Sequence, residues 1–110
     1  MSKVTKIYLA NIPFEDQNKT KFRPALVMRV GGGKVKVFKI TSKYKNKPVK
    51  IQKLYFPINH WREAGLKCQS YVDTHRTYTL SSREVFKNPP IGKLTAEDAT
   101  DLFEFISRKH

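Results

Sequence analysis

A chain of 110 residues with 39% hydrophobic and 12% aromatic residues can bury one modest core, so one domain over residues 1–110 is expected and wholesale disorder is excluded. Its 22 Lys and Arg against 9 Asp and Glu give a net charge of +13, past the ~2–8 that solubility needs, and favour a polyanionic partner. One cysteine and three histidines allow no internal disulfide and offer no zinc spacing, and neither a membrane span nor a secretory signal is legible, so a cytoplasmic protein without metal or cofactor is expected.

Val4 to Ile12 is rich in β-branched and aromatic residues and stops at Pro13, which predicts a first strand. Glu15 and Asp16 then fall in a polar stretch that reads as a solvated turn and not as a catalytic carboxylate pair. Pro24 to Val30 is a short apolar run suited to a buried second strand. Gly31-Gly32-Gly33 lacks the Lys-Ser/Thr of a phosphate-binding loop and reads as a tight turn into Lys34–Ile40, whose alternation completes a hairpin. Pro48 to Tyr55 and Ser70 to Leu80 are the fourth and fifth predicted strands, separated by irregular structure around Pro57, Asn59 and Gly65. Trp61 is expected to pack and Cys68 to be buried or a bystander. Thr95 precedes Asp98 by three positions in the manner of a capping box, and Ala99, Leu102, Phe103 and Ile106 recur on one helical face. Five strands followed by one helix predict a mainly β protein: a small, strongly curved antiparallel sheet or partly open barrel, with the C-terminal α-helix covering one end.

Charge is unevenly placed along these elements. Residues 34–53 carry eight lysines and no acid, whereas residues 95–110 carry four acids. The middle of the chain is therefore the basic platform.

Several pieces, in order, resemble the MazF/PemK toxins of bacterial toxin–antitoxin pairs. They are Ile7 to Phe14, a polar loop, Phe22-Arg23-Pro24-Ala25-Leu26-Val27, then Lys39-Ile40-Thr41-Ser42, Gly65 to Thr74, and a closing helix after Gly92-Lys93-Leu94-Thr95. The resemblance implies an SH3-like, MazF/CcdB-like barrel, a homodimer, and metal-independent cleavage of single-stranded RNA by attack of a ribose 2′-hydroxyl on the neighbouring phosphorus. It also implies a neutralising antitoxin, which charge complementarity makes acidic.

Such a reaction uses the RNA's own nucleophile, so the protein must clamp phosphate, stabilise charge and handle protons. Arg23 and Thr41 suit the first two roles. A guanidinium stays protonated and offers a fork of donors, which makes charge stabilisation a better role for Arg23 than general acid. Thr41, or Ser42 beside it, offers a hydroxyl to a phosphate oxygen or to the 2′-hydroxyl. Asp73 and Thr74 fall where the family has polar residues near its cleft. His75 is a candidate base from side-chain chemistry alone. Lys19, Lys21, Lys43, Lys45 and Lys47 are the expected RNA-backbone contacts. Two rival readings keep a basic barrel but give it another function, either as a non-enzymatic nucleic-acid-binding module or as a CcdB-like toxin that poisons DNA gyrase.

Overall fold

The computed structural model describes residues 3–13 and 19–109, so the turn expected at Glu15 and Asp16 lies outside the described residues. Among the described residues six strands form one antiparallel sheet in the order β4-β5-β3-β2-β1-β6. They are β1 (Lys6–Pro13), β2 (Thr20–Gly31), β3 (Lys34–Thr41), β4 (Tyr55–Pro57), β5 (Tyr71–Ser81) and β6 (Gly92–Lys93). Two single-turn helices, α1 (Val49–Gln52) and α2 (Ser82–Val85), interrupt the strands, and α3 (Ala96–Lys109) closes the chain. The expected mainly β architecture with one C-terminal helix is present, as a curled half-barrel. No helix among the described residues is long and apolar enough to cross a membrane.

The sheet is buried on both faces, and the alternation of each strand divides its side chains between two cores. Ile7, Leu26, Phe38, Ile40, Phe56 and Val72 point to the side covered by Leu94 and Leu102, while Tyr8, Ala10, Ala25, Val27, Val35 and Val37 point to the other. Double burial explains the apolar run from Ala25 to Met28, whereas Arg29 and Val30, expected in the same buried strand, are exposed. That strand begins earlier than the apolar run, at Thr20, and continues through Pro24. The β2–β3 ladder starts only at Ala25, so no rung to β3 depends on the N–H that proline lacks. The glycine triplet does make a tight turn: Gly32 and Gly33 take φ of 58° and 75°, the two left-handed positions of a type I′ hairpin.

Three expectations are corrected. Pro48 to Tyr55 is not a strand. Its first half is α1, opened by Pro48, whose carbonyl accepts from the amides of Ile51 and Gln52 at 2.9 Å, and only Tyr55–Pro57 joins the sheet. Proline suits the start of a helical turn, and that local geometry overrides the alternation of Val49-Lys50-Ile51. Among the described residues the strands number six and not five, because two residues at Gly92–Lys93 pair with Lys6 and Ile7, too few to leave a periodic signal. On α3 the buried face is rotated away from Phe103, which is exposed, and runs through Asp98, Leu102 and the partly buried Phe105 and Ile106.

Asp98 causes the rotation. Its backbone amide takes the Thr95 hydroxyl as the N-terminal cap, at 3.2 Å. Its carboxylate does not return to complete a capping box. It accepts instead from the amides of Asn59 at 3.3 Å and His60 at 2.8 Å, with the residue wholly buried. The acid expected as a capping-box partner is thus the bolt between α3 and the 59–70 segment.

Candidate active site

Pairing fixes what stands beside what on the sheet face that carries Arg23, because residues directly opposite in a ladder share a face. Tyr55, Asp73, Lys39 and Ala25 form one row across β4, β5, β3 and β2. The next row contains Pro57, Tyr71 and Thr41, and continuing the Ala25–Lys39 register by two residues brings Arg23 level with Thr41. Two stretches that lie eighteen positions apart in the sequence, Arg23-Pro24 and Thr41-Ser42, meet here.

Arg23 borders two clefts. The first, of about 440 Å³, has Leu9, Ile40 and Leu66 as apolar floor, with Arg23, Thr41, Ser42, Lys21, Lys43 and Lys67 around it. Cys68, expected to be buried or a bystander, is exposed and lines this cleft. Thr41 Oγ1 accepts from the Lys43 amide at 3.1 Å, an arrangement that leaves the hydroxyl hydrogen to be donated outward. The far wall is carried by a close backbone crossing in which a Cβ on Gly65 would meet the Ile91 carbonyl and one on Gly92 the Ala64 carbonyl. Only glycine fits on either side, and the crossing sets Leu66–Ser70 beside Thr41.

The second cleft, of about 350 Å³, joins Arg23 to Lys39, Lys47, Tyr55, Asp73 and His75. Asp73 is 3% exposed, accepts from the His75 amide at 2.9 Å and pairs with Lys39 at 3.5 Å. Arg23 is half-buried, and among the described residues no carboxylate pairs with it. The wall's cations are therefore unequal: Lys39 is neutralised and Arg23 is not.

The predicted residues divide on these facts. Arg23, Thr41, Ser42, Lys21 and Lys43 meet at the first cleft, and Asp73, His75 and Lys47 at the second. Lys19 and Lys45 are exposed and line neither. Thr74 turns inward, 2% exposed, with its hydroxyl donated to the Leu54 carbonyl. The β3–β5 register shifts between Val37–Tyr78 and Lys39–Asp73, so residues 74–77 of β5 form a wide bulge that holds His75 at the surface. Lys39 and Lys67 also line the clefts, and neither is among the predicted contacts. For Lys39 the signal was present, two residues before Thr41 on one strand face. For Lys67, in a loop, there was none. Among the described residues no three His, Cys, Asp or Glu side chains converge as metal ligands.

No family model and no curated protein matches the sequence. Among solved structures it matches the Mycobacterium tuberculosis toxin MazF-mt6 with a TM-score of 0.68 and 22% identity, over 94% of this chain and 93% of that one. The fold is that of a MazF toxin. At this identity the likeness establishes the architecture, and the chemistry has to come from the clefts. The fold places two of the pieces that carry the family resemblance, Arg23-Pro24-Ala25 and Ile40-Thr41, on neighbouring strands, with Ser42 just beyond the second.

Proposed function

We propose that the protein is a cytoplasmic endoribonuclease toxin that cuts single-stranded RNA without a metal ion, with Arg23 and Thr41 at the scissile phosphate. The observation that carries this reading is the half-buried Arg23, unpaired with any carboxylate among the described residues and level with Thr41, whose hydroxyl oxygen already accepts from the Lys43 amide and so keeps its hydrogen to donate. A partly desolvated cation in that position favours an anion. In the reaction the 2′-oxygen forms a bond to phosphorus while the bond from phosphorus to the 5′-oxygen of the next nucleotide breaks. The products are a 2′,3′-cyclic phosphate and a 5′-hydroxyl. Arg23 meets the charge that grows on the non-bridging oxygens, and Thr41 or Ser42 donates to one of them. His75, in the second cleft with Arg23, takes the 2′-hydroxyl proton, and the leaving 5′-oxygen receives one from His75 or solvent.

The same reading makes the protein a homodimer restrained by an acidic antitoxin. Phe22 is a large apolar side chain left exposed outside both clefts, and a second copy would cover it. The antitoxin would lay carboxylates over Arg23 and the cleft lysines in place of phosphates. Incubation with a long single-stranded RNA in excess EDTA tests the proposal: cleavage with a 5′-hydroxyl on the downstream fragment is expected. A strict magnesium requirement, or 5′-phosphate products, would overturn it.

A further inference from the structure

Beside the Arg23–Thr41 row stands a feature that phosphate chemistry leaves unused. Tyr44 and Tyr71 stack with centroids 4.5 Å apart and ring planes within 12°, while Tyr55 lies tilted 6.2 Å from Tyr44. Tyr55 is 4% exposed and anchors the group, yet Tyr44 and Tyr71 each remain partly exposed. Tyr71 pairs with Thr41 in the β3–β5 ladder, so the stack rises one strand spacing, about 5 Å, from the Thr41 backbone and about twice that from Arg23. Tyr44 is flanked in the chain by Lys43 and Lys45, both exposed.

We propose that the Tyr44–Tyr71 stack is a base platform, on which a nucleobase adjoining the scissile phosphate continues the stack. The inference rests on the nuclease reading and deepens it. Partly exposed aromatic rings between lysines are the general means of holding a single strand, because every base has a π-face and every nucleotide a phosphate. The hydroxyl hydrogen of Thr41 and the fork of Arg23 would take the phosphate, and the rings would hold the base that hangs from the adjoining sugar. The platform fixes the strand's course across the sheet, from β5 over β3 to β2, and its choice of base is broad, set by stacking strength rather than by hydrogen bonding.

The experiment is binding of a short 2′-fluoro RNA, which lacks the attacking hydroxyl, scanned with one abasic position at a time. Tyr44→Leu and Tyr71→Leu should each weaken binding by about 5- to 100-fold, and Tyr44→Phe should bind like the wild type. One abasic position should weaken the wild type by a similar factor and cost the Tyr44→Leu protein nothing more. Tyr44→Trp, which retains a ring and guards against misfolding of the leucine variants, should bind at least as tightly and lose fluorescence on adding RNA. Unchanged binding by Tyr44→Leu, equal losses at every abasic position in both proteins, or Tyr44→Phe as weak as Tyr44→Leu would each overturn the platform. Natural RNA is assayed for cleavage alongside. A protein that cuts it but lacks the position-specific coupling has lost the platform alone, and one that neither cuts nor binds has lost the nuclease reading as well.

Discussion

Replacing Arg23 by alanine removes a fork of donors without orphaning a carboxylate, since none among the described residues pairs with it. Stability should therefore change by no more than about 1 kcal/mol, while single-turnover cleavage falls by about 10²–10³, the size of losing one transition-state donor. Arg23→Lys keeps the charge but not the fork and should recover only part of the rate. Full activity in Arg23→Ala would remove the residue from the reaction. Thr41→Ser should stay active and Thr41→Val should slow single-turnover cleavage, whereas a full rate in Thr41→Val would assign the donor role to Ser42. Arg23 and Thr41 were legible because each sits in a short run of distinctive residues, Arg-Pro-Ala and Ile-Thr-Ser. The order of merit among Asp73, Thr74 and His75 was not, because strand alternation alone cannot reveal that the register breaks at Lys39 and Val37. The bulge decides that Asp73 is fixed by Lys39, that Thr74 serves Leu54, and that His75 faces outward.

Elements were legible where one periodicity governed them. The three strands of the first half and the long β5 follow from apolar runs and alternation, and the helix start follows from Thr95. What escaped depends on tertiary contacts between distant residues, and Asp98 is the clearest case. Asp98→Ala would leave the amides of Asn59 and His60 without an acceptor, at roughly 1–3 kcal/mol each. A drop of about 2–6 kcal/mol in urea unfolding is expected, with Asp98→Asn losing less because one acceptor survives. If Asp98→Ala unfolded at the wild-type midpoint, the bolt between α3 and the 59–70 segment would be ornamental. Gly92→Ala should be worse still, since its Cβ meets the Ala64 carbonyl and neither backbone can yield without moving Leu66 and β6. Loss of the cooperative transition, read by circular dichroism, is the expected outcome.

At the scale of the whole molecule the net charge of +13 is less informative than its distribution. Lys34 and Lys36 lie by the hairpin turn, and Lys34 is seven residues from Thr41 along β3, roughly 24 Å at strand rise. They can steer RNA but cannot touch a phosphate at Arg23. The cations that line the two clefts and lack a carboxylate among the described residues are Lys21, Arg23, Lys43, Lys47 and Lys67, whereas Lys39 is held by Asp73. Each such contact with a single strand contributes about −0.7 to the slope of log K against log salt, so five give a slope of about −3.5. Affinity for a non-cleavable RNA should then fall about 100-fold between roughly 50 and 200 mM salt. Lys21→Gln, Lys43→Gln, Lys47→Gln or Lys67→Gln should each flatten the slope by about 0.7, in every RNA sequence alike. Lys39→Gln should leave the slope nearly unchanged and instead lower stability, because it strips the partner from a buried carboxylate. A slope twice as steep would mean that the hairpin lysines also touch the strand. A slope near zero would remove phosphate contacts from the binding energy, and the rings of Tyr44 and Tyr71 would then have to hold the RNA by themselves.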